Sequence, residues 1–99
     1  MDDQKIREVL GIYRESFKEN NVKPVEWKEN LAEEDAMYLS EDHQKQKRLS
    51  HLCWMLDEIE SFLKDGRRDK AFRWLGFIQG VLWNLEFCSL EDLKNHNRP

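Results

Sequence analysis

The chain has 99 residues, 39% of them hydrophobic and 36% charged, with 16 Lys and Arg against 20 Asp and Glu and a formal net charge of -4. That length supports one domain, and four Trp and five Phe argue against disorder. The acidic balance disfavours bulk binding to nucleic acid or an anionic membrane, and the richest apolar stretch, residues 71–88, is broken by Arg73, Gln79, Asn84 and Glu86, so no segment reads as a membrane span.

Met1-Asp2-Asp3-Gln4-Lys5 carries neither the basic nor the apolar region of a secretory signal. A cytoplasmic protein with two reduced thiols is therefore expected. The first helix is expected at about residues 3–19, where Ile6, Leu10, Tyr13 and Phe17 form a narrow apolar stripe and Asp2 and Asp3 suit the positive N-terminal end. Asn20-Asn21 ends it. Residues 20–39 keep no period: Pro24 blocks early helix, and Val25, Trp27, Leu31, Met37 and Tyr38 are scattered through an acidic connector. Residues 26–42 hold seven acids against Lys28.

Ser40-Glu41-Asp42 is a plausible N-cap for a second helix at about 41–65, in which Leu49, Leu52, Leu56, Ile59 and Leu63 alternate steps of three and four as a heptad seam. Gly66 stops it. Arg67-Arg68 leaves room only for a tight return, so a third helix at about 69–86 should lie antiparallel to the second as a helical hairpin. Ser89-Leu90-Glu91-Asp92 resembles a capping box opening a short helix at about 90–95. No sustained β alternation appears. The expected fold is all-α: a hairpin of the second and third helices packed with an N-terminal helix and a short C-terminal one.

The third helix is apolar over roughly two thirds of its circumference at about 100° per residue. A chain this short has little with which to cover it. Self-association through Trp74, Phe77, Ile78, Val81, Trp83 and Leu85 is therefore expected, giving a homo-oligomer. Gly76 and Gly80 share the remaining stripe with Arg73 and Asn84. Two helix-interior glycines cost about 1 kcal/mol each relative to alanine, which suggests close approach of another helix or a groove for a flat ligand.

The sites of chemistry are sparse. His43, His51, Cys53, Cys88 and His96 have no metal-binding spacing, so no metal and no cofactor are expected. His51, Asp57 and Glu58 are the one acid and base cluster on the second helix, yet two turns separate His51 from Glu58, and no nucleophile or phosphate-loop motif accompanies them. No catalytic residue is assigned. Trp54 projects toward Ser50, Asp57 and Ser61 and reads either as an anchor for a foreign protein or as packing under the connector. The basic turn, with Arg67, Arg68 and Arg73, together with Gly76, Gly80 and Asn84, is the alternative site, for an anionic small molecule such as a nucleotide. A third reading is acidic mimicry of DNA by residues 26–42.

The segment Arg73-Trp74-Leu75-Gly76-Phe77-Ile78-Gln79-Gly80-Val81-Leu82-Trp83 and the C-terminal Leu93-Lys94-Asn95-His96-Asn97-Arg98-Pro99 resemble those of small uncharacterised all-helical proteins of bacteriophages and prophages. The resemblance spans about the last half of the chain. It implies a phage source, a bacterial cytoplasm and action by binding, including inhibition of a host system. A non-enzymatic oligomer working through protein contacts is the leading expectation, with a host protein as a possible partner.

Overall fold

The computed structural model describes residues 2–26 and 41–98. Among the described residues four helices follow one another, α1 (Asp3–Glu19), α2 (Glu41–Lys64), α3 (Arg68–Asn84) and α4 (Leu90–Asn97), and there is no strand. The expected Ser40 cap, most of the acidic run and the anchors Trp27, Leu31, Met37 and Tyr38 lie outside the described residues. No described helix is long and apolar enough to cross a membrane.

The two apolar seams meet in one core. Ile6, Leu10, Tyr13 and Phe17 of α1 are buried together with Leu49, Leu52, Leu56, Ile59 and Leu63 of α2, and Val9, Met55 and Phe62 widen the two stripes. Complete burial of such side chains stabilises by roughly 1.5 to 3 kcal/mol each. Ala71, Leu75, Ile78 and Leu82 supply the α3 side. Polar contacts fix the directions of the helices. Arg7 and Arg14 reach Glu60, Arg14 also reaches Asp57, and further along both helices the Cys53 thiol faces the Val22 carbonyl at 4.0 Å. α1 thus runs antiparallel to α2, and α3 returns along α2 as the second arm of a hairpin. Asp3 pairs with Arg68 at 3.1 Å where α1 and α3 both begin.

All three long helices end in the same way. Val22, Arg67 and Phe87 donate their amides to Phe17, Phe62 and Leu82 at 2.7 to 2.8 Å, while Asn21, Gly66 and Glu86 donate to Lys18, Leu63 and Trp83. These are Schellman closures, which need a left-handed residue after the helix. Asn21 (φ 56°) and Gly66 (φ 75°) meet that need with favourable residue types, and both stops are the expected ones. Each closure is also covered by side chains: Val22 is buried with Phe17, and the Arg67 guanidinium lies 5.4 Å from the Phe62 ring centre. Glu86 (φ 60°) ends α3 at Asn84, two residues before the expected boundary. A glutamate gains nothing from that backbone conformation. Glu86→Gly should therefore stabilise the chain by about 1 kcal/mol, seen as a higher urea midpoint with an unchanged slope.

Ser89 and Asp92 form the reciprocal capping box that opens α4. The helix continues to Asn97, two residues beyond the expected end, because His96 and Asn97 find partners in the bundle.

Candidate functional site

α3 has an inner and an outer side, and the residues expected to mediate self-association divide between them. Ile78 is fully buried in the chain's own core and offers no surface. Trp74, Val81 and Leu85 are half-buried against that core. Phe77 and Trp83 face outward with exposures of 56% and 50%, joined by Phe72 at 43%. The core decides the split, since the side that carries Ala71, Leu75, Ile78 and Leu82 is the one covered by α1 and α2.

The same geometry places Gly76 and Gly80. Both are exposed, and a Cβ built at either would meet nothing within 4 Å. No described part of the chain packs on them, so nothing among the described residues requires a glycine at either position. Arg73 and Asn84 share this outer side and are also exposed. The stripe has aromatic neighbours on both sides. At about 100° per residue, Phe72 and Trp83 border the glycines on one side, and Phe77 stands beyond Arg73 and Asn84 on the other. The result is a shallow strip with bare backbone in the middle and aromatic rings at its margins.

The residues of the alternative anion site are not all gathered there. Arg68 is drawn to Asp3 of α1, and Arg67 lies over Phe62. Only Arg73, Gly76, Gly80 and Asn84 share the outer strip. Trp54 is half-buried, stacked on His51 with ring centres 5.5 Å apart and 6.4 Å from Trp74. Trp74 in turn meets Phe62 edge-on at 4.8 Å, with the Lys70 ammonium 4.7 Å from the Phe62 centre. Trp54 is thus part of an aromatic row sealing one flank of the hairpin. The connector of which it was the expected support lies outside the described residues.

The acid and base cluster on α2 separates in the same manner, since Asp57 is held by Arg14 while His51 lies on Trp54. Burial pushes both thiols, Cys53 and Cys88, above their ordinary pKa, which keeps them protonated and weakly nucleophilic near neutrality. Among the described residues, no three His, Cys, Asp or Glu side chains gather as a metal would require.

One polar arrangement was not foreseen from the sequence. Gln79 is 8% exposed, the one residue buried among the described residues that does not belong to the hydrophobic core. Its amide nitrogen donates to the Tyr13 hydroxyl at 3.1 Å and to Asn97 Oδ1 at 2.8 Å, and Asn97 Nδ2 returns a bond to Gln79 Oε1 at 3.2 Å. The Tyr13 oxygen also lies 3.0 Å from His96 Nδ1. Gln79 had looked like a mere interruption of an apolar run, and its position beside Leu75 and Leu82 on the wheel was the only available signal. Compared with protein-family models, curated proteins and solved structures, the chain matches none.

Proposed function

We propose that this chain is a non-enzymatic, self-associating accessory protein that acts through protein contacts, and that the outer strip of α3 is its contact surface. The carrying observation is the exposure of Phe72, Phe77 and Trp83 around two glycines on which nothing described packs. Large aromatic side chains in such a cluster are costly to leave in water and are frequent interface anchors. Glycines four residues apart let a second helix approach the backbone closely.

A second copy is the occupant that fits best. Asp69 and Arg73 carry opposite charge on the same outer side, so a two-fold partner can present each with the other. Each subunit's aromatic margin can lie in the other's glycine strip. The resemblance of the α3 segment to phage proteins supports a phage origin and a host protein as the eventual target of the assembled form.

The test is native mass at micromolar concentration. The chain should appear as a multiple of 12.0 kDa, and Phe77→Asp combined with Trp83→Ser should give the single-subunit mass with unchanged helix content. A wild-type chain that remains single at every concentration overturns the self-association reading. A small-molecule mass excess that disappears in Arg73→Ala would instead support an anionic ligand on Arg73 and Asn84.

A further inference from the structure

α4 is attached to the bundle by different means from the other helices. None of its residues is buried, Leu90 is 56% exposed, and only Leu93 joins the margin of the core. His96 and Asn97 carry its polar links to α1 and α3. We infer that α4 is a proton-released clasp, in which protonation of the His96 imidazole breaks its hydrogen bond with Tyr13 and lets the helix lift from α1 and α3.

The directions of the hydrogen bonds carry this inference. Gln79 uses both amide hydrogens, one to the Tyr13 hydroxyl and one to Asn97. The hydroxyl therefore accepts from Gln79 and has its own proton to give, and His96 Nδ1 at 3.0 Å takes it. That fixes a neutral imidazole with its hydrogen on Nε2. Tyr13 is 1% exposed, and burial pushes its pKa up to about 12, so it holds that proton throughout the range in which histidine titrates. An imidazolium makes Nδ1 a donor as well. The hydroxyl proton is then left facing another donor within a buried site, a costly arrangement.

The charged groups around His96 act in both directions. Burial is the largest influence and holds the imidazole below its ordinary pKa; Asp92, one turn earlier on α4, favours the proton, and Lys5 of α1 opposes it. Tyr13, Gln79 and Asn97 are neutral. When α4 is released, His96 returns to an ordinary value near 6.5. Docking is therefore at full strength above about pH 6.5 and weakens as the pH falls below it, by at most about tenfold per pH unit.

Hydrogen exchange at residues 93–97, corrected for intrinsic rates and referenced to the core turn of α2 around Leu56, tests the clasp. Between about pH 7.5 and about pH 5.5, protection of α4 should fall several-fold, up to about tenfold, relative to the α2 reference. His96→Gln supplies a non-titrating acceptor for the Tyr13 proton and should make α4 protection independent of pH. His43 and His51 remain in that variant and serve as internal controls. The proposal is overturned by equal α4 protection at both pH values in the wild type, or by an undiminished pH response in His96→Gln. It is also overturned if NMR titration of the wild-type His96 ring gives a pKa at or above 6.5, a readout that does not depend on how well any variant folds.

Discussion

Ile59→Ala will be among the most damaging single substitutions in the chain, at about 2 to 5 kcal/mol of lost stability. Ile59 is fully buried in the α2 seam, within the core to which α1 and α3 also contribute. Removing its outer carbons leaves a void in a core that three helices share and that ion pairs from Arg7, Arg14 and Arg68 tie together, so the site can collapse only in part. A domain of this size has a total stability of roughly 5 to 15 kcal/mol, and the thermal midpoint should fall by at least about 8 °C. Ile12→Ala is the matched control. It removes a chemically identical side chain that is 42% exposed on the outer side of α1, and it should change stability by less than about 0.5 kcal/mol. Equal losses in the two variants would mean that α2 is not the centre of the bundle. Chemical denaturation followed by circular dichroism separates the cases.

The features that were legible in the sequence are those that local physics determines. The heptad seam of α2, the stripe of α1, the stops at Asn20-Asn21 and Gly66, and the Ser89 capping box each depend on residues within a turn or two of one another, and each is present in the fold. The third closure was hidden because Glu86 does not favour the left-handed conformation that it adopts. Its conformation follows from the bonds that Phe87 and Glu86 make to Leu82 and Trp83, not from its residue type. Gln79 was illegible for a different reason. Its partners, Tyr13 and Asn97, lie 66 and 18 residues away, and no periodicity announces a hydrogen bond across three helices. The outer strip was half legible. The wheel showed too much apolar surface on α3 and placed the glycines together, but choosing which third of the circumference faces outward required the positions of α1 and α2. That choice moved Ile78 into the core and brought Phe72 into the surface.

A paired replacement of the glycines, Gly76→Glu with Gly80→Lys, should raise the stability of the isolated subunit and abolish self-association. The first effect follows from the open space at both positions. Glutamate and lysine are better helix formers than glycine, and a Glu to Lys pair four residues apart adds a favourable contact, together about 1 to 2 kcal/mol. Net charge is preserved, so a change in assembly cannot be attributed to bulk repulsion. The second effect follows from where the side chains would stand, filling the strip between the Phe72 and Trp83 margin and Phe77. A second helix could then no longer reach the α3 backbone, and the gain from close packing would be lost. Thermal unfolding at the lowest usable concentration reports the subunit, where association contributes least, and native mass at micromolar concentration reports the assembly. Opposite movement in these two measurements is the signature of a face that costs the subunit stability and is retained for contact. Unchanged mass would move the interface away from the glycines, toward the aromatic margins alone. A fall in subunit stability would show that part of this chain already occupies the strip.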